Sequence, residues 1–305
     1  SFFTLCNRRA NTNRHKSNQS MKLYVIGIGL IGGSMALELK KCYSTIEVFG
    51  VDTNESHLDE ALALGMIDHK GRLEEINQAD RVILSIPVKD SLILLPKLLD
   101  QLSENALLWD VGSTKEELCK VVESHPKRDQ YLAAHPIAGT EFSGPQAAHE
   151  GLFDGKPQIL CEAQKTRPDL LIWAKTSFRQ MGMYLRFMEA DDHDKHMAYV
   201  SHLSHISSFM LGKTVLEQEE DEQNIFDLAG SGFESTVRLA KSSPDMWAPI
   251  FEQNKTNVLR ILSSYIENLE NFKRKLENDD IADLHQQMKH TNQLTTILNG
   301  IKHNN

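Results

Sequence analysis

The segment Lys22-Leu-Tyr-Val-Ile-Gly-Ile-Gly-Leu-Ile-Gly-Gly-Ser34 constrains the fold more than any other stretch of this chain. A short apolar strand runs into Gly27-x-Gly29-x-x-Gly32, and a helical pattern follows at once. Gly27 permits the tight turn off the strand, Gly29 leaves the backbone bare for a pyrophosphate, and Gly32 lets the helix pack close. The amides and dipole at the start of that helix then face the phosphates. Gly27, Gly29, Leu30, Ile31 and Gly32 are therefore expected to form a dinucleotide loop. A second strand ends in Asp52, about 20 residues past the last glycine, as this fingerprint requires. An acid there can accept from both ribose hydroxyls and repels a 2′-phosphate, so the expected cofactor is NAD rather than NADP. The alternative is a tight strand-to-helix turn in some other α/β protein.

From Met21 to about Glu189 the pattern alternates strand and helix. Expected strands are Leu23–Ile26, Glu47–Val51, Arg81–Ser85, Leu107–Asp110, Tyr131–Ala134, Gln158–Cys161 and Tyr184–Phe187. Helical patterns lie between most of them, as at 58–63, 88–102 and 115–122. Such alternation predicts an α/β, Rossmann-like doubly wound sheet that is mainly parallel. From about residue 190 the texture becomes all helical, with one long helix expected over 191–217 and others over 225–228, 234–241, 246–277 and 279–301. In the long segment after Trp247, Val258, Ile261, Leu262, Tyr265, Ile266, Leu269 and Phe272 recur at helical spacing and imply one buried face. So many long helices make a thin core for a single chain, which predicts an all-α C-terminal dimerisation domain and a homodimer. The expected division is thus 1–20 as a leader, 21–189 as the NAD-binding domain and 190–305 as the helical domain.

The chain has 305 residues, enough for two domains of ordinary size. A net charge of −9 gives nucleic acid and anionic membranes no electrostatic foothold. No apolar run is long enough to span a bilayer. Residues 1–20 carry Arg8, Arg9, Arg14 and Lys16 and no acid; they read as an added or upstream-translated leader, or else as a transit peptide. Cys6, Cys42, Cys119 and Cys161 show no paired spacing, which fits a reducing cytoplasm and argues against a disulfide framework or zinc knuckle.

In doubly wound folds ligands sit at the carboxyl ends of the strands. Besides the glycine loop, three segments put polar residues there: Ser85-Ile-Pro87, Asp110-Val-Gly-Ser113-Thr-Lys and His135-Pro-Ile-Ala-Gly-Thr140-Glu141. A histidine beside a nicotinamide can take a proton from an alcohol while the carbon gives up hydride, so His135 reads either as that base or as a turn-capping residue. Ser113 reads as a hydroxyl-binding group, as the N-cap of the helix near Lys115, or both. The long helix holds His193, His196, His202 and His205 in two pairs spaced i, i+3, each expected to share a face. A metal site, solvated surface histidines and donors facing the crevice are all open for them; with no cysteine or carboxylate set nearby to complete a sphere, no metal is expected. Further on, Ala229-Gly-Ser231-Gly-Phe precedes Arg238, which suits a carboxylate through its bidentate fork or else sits in a surface ion pair. Trp247 either walls the pocket or anchors the helical core.

Taken together, these segments resemble prephenate dehydrogenases. The resemblance rests on Gly-Ile-Gly-Leu-Ile-Gly-Gly-Ser, Asp110-Val-Gly-Ser-Thr-Lys, His135-Pro-Ile-Ala-Gly-Thr-Glu, Gly151-Leu-Phe-x-Gly-Lys, His193-Asp, Ser201-His-Leu-Ser-His205, Ala229-Gly-Ser-Gly-Phe and Met246-Trp247. It runs in order from Met21 to about Asn257. It implies NAD-dependent oxidative decarboxylation of prephenate to 4-hydroxyphenylpyruvate, in tyrosine biosynthesis. By resemblance His135 takes the proton of the ring hydroxyl and Ser113 orients that hydroxyl. His205 and Arg238 bind substrate; Thr140, Glu141, Trp247 and Ser231 line or gate its pocket. Ser85, Pro87 and His193 join the glycine loop and Asp52 on the cofactor, His193 near the nicotinamide end. Two positions depart from the family pattern: Ser204 stands where proline is usual, and Glu234-Ser235 follows Gly-Phe, placing an acid near a site for a dianion. Arogenate dehydrogenase, another NAD-dependent hydroxy-acid dehydrogenase of similar plan, and a silent NAD-binding sensor are the rival readings. The hydroxy-acid enzymes usually carry a lysine base on the helical domain, and a sensor would have lost His135 or Arg238; both are present.

Overall fold

The computed structural model describes residues 20–140, 142–221 and 225–300. The basic leader before Ser20, the pocket residue Glu141 and the end of the last expected helix at Ile301 lie outside the described residues. The seven expected strands are present. They are β1 (Met21–Ile26), β2 (Ile46–Val51), β4 (Arg81–Leu84), β5 (Leu107–Asp110), β6 (Tyr131–Pro136), β7 (Pro157–Cys161) and β8 (Tyr184–Met188), with a two-residue β3 (His69–Lys70) besides. They form one sheet in the order β3-β2-β1-β4-β5-β6-β7-β8, in which only the β6–β7 pairing is antiparallel.

Helices cover both faces, which is why the central strands read as unbroken apolar runs rather than alternating ones. On one face α1 (Leu30–Cys42) and α5 (Pro168–Gln180) bury Met35, Leu39 and Phe178 against Leu23, Val25 and Leu132. On the other, α3 (Val88–Gln101) and α4 (Glu116–Val121) bury Leu95, Leu98 and Leu118 against Tyr24, Ile26, Val82 and Leu84. A short α2 (Glu55–Ala63) opens on Asn54, whose side chain accepts from the Ser56 amide. The order of strands reverses between β1 and β4, so a crevice opens there at their carboxyl ends.

After Met188 no strand occurs among the described residues. The single helix expected over 191–217 is three joined pieces: α6 (Ala190–Met197), one π-helical turn at Ala198–His202 and α7 (Leu203–Asp221). The π turn carries an extra residue and so shifts which side chains face inward beyond it. Then follow α8 (Ser231–Val237), a 3-10 turn at Arg238–Lys241 and α9 (Pro244–Gln253). The described residues close with α10 (Lys255–Glu277), α11 (Ile281–Thr291) and α12 (Gln293–Gly300).

The helix expected over 246–277 is broken at Asn254, whose side-chain amide donates to the Asp194 carbonyl at 2.6 Å and contacts His202 Nδ1 at 3.2 Å. Its backbone keeps the i→i−4 bonds to Ile250 and Val258, so the helix bends at this residue while its side chain takes a tertiary partner. Along α10 the apolar stripe is present, yet within one chain only Val258 is buried. Leu259, Ile266, Leu269, Phe272 and Leu276 remain exposed.

Candidate active site

The loop between β1 and α1 is built around its glycines. Gly27 has φ +91°, a left-handed value that disfavours any side chain, and a Cβ there would overlap the Ser85 carbonyl. A Cβ on Gly32 would strike the Gly27 carbonyl, so the loop and helix touch backbone to backbone. In front of Gly29 nothing lies within 4 Å, and no side chain caps α1. Open space before a bare helix N-terminus fits a phosphate. Asp52 sits half-buried at the end of β2, one oxygen accepting from the Ile28 amide at 3.0 Å and the other from the Asn54 amide at 2.9 Å. A carboxylate has about four lone-pair sites, so two backbone bonds leave room for a ribose diol. The donor set therefore fits a dinucleotide. Ser85 and Pro87 flank the same mouth, Pro87 exposed beside the first turn of α3.

The strand-end motif Asp110–Lys115 does something else. Asp110 and Lys115 are 1 % and 0 % exposed and form a buried ion pair. Asp110 also accepts from the Tyr131 hydroxyl at 2.8 Å and from the Gly112 and Ala134 amides at 2.9 and 3.3 Å. The carboxylate thus ties β5 to β6 directly beneath His135 and leaves Ser113 at the rim. Among the described residues the Ser113 hydroxyl has no partner, so it is available to a ligand. The N-cap reading of Ser113 is corrected: α4 starts at Glu116, and its first amides, Lys115 N and Glu116 N, donate to Asp194 at 2.7 and 3.0 Å. A carboxylate satisfies those amides and suits the helix dipole better than a neutral hydroxyl.

His135, half-buried at the end of β6, does not cap a turn. Its Nδ1 lies 2.9 Å from His193 Nε2, and His193 Nδ1 lies 2.7 Å from Asp194 Oδ1. Burial, then the neighbouring His193, Lys115 and His202, hold His135 well below the ordinary histidine range, so it is a neutral imidazole able to accept a proton. His193 is wholly buried, so its expected place against the cofactor is corrected to one behind His135. Nor does the spacing keep the helix histidines in face-sharing pairs. His193 is buried and His196 exposed, because the edge of the buried stripe passes between them. His202 is turned inward by the π turn, and burial lowers its pKa to about 4. Among the described residues no group of three His, Cys, Asp or Glu side chains converges in a way that could hold a metal.

The helical half closes the crevice. The His205 ring stacks on Trp247 with centroids 3.4 Å apart, and its Nδ1 donates to the Ser201 carbonyl at 3.0 Å, leaving Nε2 outward. Burial holds His205 below its ordinary pKa, and the nearby Arg238 cation adds to this against the Ser201 carbonyl. Trp247 anchors the helical core: it is 6 % exposed, packs on Val88 and Ile250, and offers its face to His205. Arg238 is exposed close by, at the end of α8. Ser231, at the start of α8, and Thr140, after β6, are exposed as well.

Two family models match this chain, one described as the prephenate dehydrogenase nucleotide-binding domain over residues 35–185 and one as its dimerization domain over residues 189–290. The prephenate dehydrogenase of Bacillus subtilis (strain 168) is 31% identical over 277 residues, covering 88% of this chain and 73% of that protein. The chain belongs to the prephenate dehydrogenase family. Among solved structures, Aquifex aeolicus prephenate dehydrogenase in complex with hydroxyphenyl propionate and NAD+ superposes with a TM-score of 0.80 at 28% identity, covering 91% of this chain and 98% of that one. Synechocystis arogenate dehydrogenase does so with a TM-score of 0.71 at 26% identity, covering 91% of this chain and all of that one. Against this prephenate dehydrogenase family background, sequence reasoning overlooked Asp110, Lys115, Asp194 and Asn254. A carboxylate and a lysine five residues apart in one motif at a strand end was the available signal for the first two. Asp194 stands in the His193-Asp pair, yet its bonds to the Lys115 and Glu116 amides, like the bond of Asn254 to the Asp194 carbonyl, join segments far apart in sequence.

Proposed function

We propose that this chain catalyses the oxidative decarboxylation of prephenate to 4-hydroxyphenylpyruvate with NAD. The observation that carries this reading is the neutral His135 at the carboxyl end of β6, on the same strand-end rim of the sheet as the glycine loop and backed by His193. The chain belongs to a family of such dehydrogenases, and a neighbour of the same fold was solved with NAD+ and hydroxyphenyl propionate.

Gly27, Gly29, Leu30, Ile31 and Gly32 would hold the pyrophosphate, and Asp52 the ribose; Ser85 and Pro87 would border the nicotinamide. NAD, when bound, supplies the acceptor for the hydride released by the ring carbon. His135 accepts the hydroxyl proton on that carbon, and Ser113 orients the hydroxyl by hydrogen bonding. His205 and Arg238 would take the two carboxylates as donor and cation, with Trp247, Thr140, Glu141 and Ser231 bounding the pocket. Loss of the ring carboxylate as carbon dioxide leaves an aromatic ring, which makes the step favourable.

A division into a cofactor half over 21–189 and a substrate half over 190–305 belongs to the same proposal. So does a homodimer joined through the exposed apolar stripe of α10, in keeping with the name of the second family model. A cytoplasmic site is proposed too, since Cys42, Cys119 and Cys161 are unpaired thiols.

The deciding experiment is a spectrophotometric assay of reduced cofactor with prephenate and with arogenate, each supplied with NAD and with NADP. Turnover of prephenate with NAD is expected. A preference for arogenate would move the protein to the rival substrate, and a preference for NADP would remove Asp52 from cofactor choice. In the same assay Arg238→Gln is expected to raise the KM for prephenate by about 10- to 100-fold, the worth of a hydrogen-bonded charge pair, with kcat little changed. An unchanged KM would remove Arg238 from carboxylate binding.

A further inference from the structure

We propose that His193 and Asp194 are positioning residues that hold His135 as a base, fixing its ring with the proton on Nδ1 and the lone pair of Nε2 toward the crevice. This rests on the functional reading above, in which His135 accepts the substrate proton.

The argument is one of donor and acceptor counting along a buried chain. Asp194 accepts at both oxygens: Oδ2 from the Glu116 amide, Oδ1 from the Lys115 amide. Two amide donors on its oxygens oppose the rise in pKa that burial gives Asp194 and favour the carboxylate, whose Oδ1 faces His193 as an acceptor, so Nδ1 of His193 carries a proton. Burial, with Lys115, His202 and His196, keeps His193 uncharged, so its Nε2 has a lone pair and no hydrogen. That nitrogen lies 2.9 Å from His135 Nδ1, which must then be the donor. A neutral His135 with its proton on Nδ1 has its other lone pair on Nε2, which has no partner and is not buried. Each link follows from the one before, and the chain starts at two backbone amides, whose polarity cannot be reversed.

Asp194 is itself locked. It reads the N-terminus of α4 and sits on α6, while its carbonyl is held by Asn254. The charged groups around His135 are Lys115 and Asp110 from the β5–α4 motif, and Asp194 from α6. His202 and His193 complete the ring of titratable neighbours. When His135 gains its second proton, its Nδ1–H keeps the same acceptor, so no group has to turn at the moment of reaction. The histidine–aspartate logic of serine hydrolases works this way, with a carboxylate behind the base to fix its tautomer. Here a second imidazole is interposed.

The test uses the full chain with 15N-labelled histidine rings, with His135 assigned by its absence in His135→Asn. The ring of His135 is expected to show a protonated Nδ1 and a bare Nε2. In His193→Leu, which removes the acceptor but keeps the volume, the Nε2-protonated form should appear and kcat should fall by about 10- to 100-fold, as when the orienting partner of a working imidazole is lost. KM for prephenate and affinity for NAD should stay near wild type. His193→Gln, which returns an acceptor oxygen at the place of Nε2, should recover most of kcat; a purely space-filling role would leave Gln no better than Leu. A wild-type His135 protonated on Nε2, or a kcat unchanged in His193→Leu, would overturn the proposal. Should the wild-type protein turn over neither prephenate nor arogenate, the functional reading fails while the nitrogen shifts still decide the tautomer.

Discussion

His135→Asn is expected to lower kcat by roughly 100- to 10,000-fold, the range for loss of a positioned general base. The affinity for NAD should hardly change, because the glycine loop and Asp52 lie on β1 and β2, separate from β6. Asparagine is the informative replacement. Its side-chain amide reaches about as far as Nδ1 and can still donate to His193, so the buried chain behind it keeps its partner. Only the acceptor at the position of Nε2 is removed. Steady-state kinetics with prephenate, together with NAD titration by calorimetry, separate the two effects. Turnover at the wild-type rate would take the histidine out of the mechanism. A parallel loss of NAD affinity would mean that His135 shapes the cofactor mouth rather than the chemistry.

The second large effect concerns stability. Lys115→Met should destabilise the fold by about 3–5 kcal/mol, the usual result of leaving one member of a buried ion pair without its partner. Asp110 would keep its bonds to Tyr131, Gly112 and Ala134, but none of those donors carries a charge. The carboxylate would then have to remain ionised without a counter-charge or take up a proton. Burial, with the Asp110 charge adding to it, holds the Tyr131 hydroxyl well above its usual pKa, so it stays a neutral donor and supplies no counter-charge. Urea unfolding followed by tryptophan fluorescence reports the change, since Trp109 adjoins Asp110 on β5 and is 1 % exposed. Adding Asp110→Asn to Lys115→Met should recover part of the loss, because the orphaned charge is then removed. A midpoint for Lys115→Met close to wild type would show that the pair contributes nothing beyond a hydrophobic isostere.

These effects mark where sequence reading succeeds and where it stops. Strands such as Leu107–Asp110 are buried on both faces, so their composition alone announces them. β3 went unseen because it is two exposed residues, His69 and Lys70, added at the sheet edge. The breaks at Asn254 and at the π turn leave the apolar spacing almost continuous, and only their tertiary partners give them away. In the site, Gly27, Asp52 and His135 are legible because strand ends and loop spacing place them. His193 reads as one of four histidines on a helix, with nothing local to show that it lies against the base. Asp194 reads as one more acid on the same helix, with nothing local to show that its carboxylate caps the start of α4.

The reversed strand β7 has a consequence for how such a molecule can diversify. Since β7 begins at the rim where β6 ends, the connection between them has no need to cross to the far side of the sheet. A parallel neighbour would have sent the chain away through a crossover helix, leaving the rim after a few residues. Here the connection is pinned to α1 by two bonds, the His149 amide to Ser34 Oγ and the Gly151 amide to Glu38, and Leu152 and Phe153 pack into the core. It is a canopy hung from fixed points. With Leu152 and Phe153 held in the core, exposed residues such as Thr140 and Phe142 can change without disturbing strand order or core, so the taste of the enzyme for one acid over another can drift while its frame stands still.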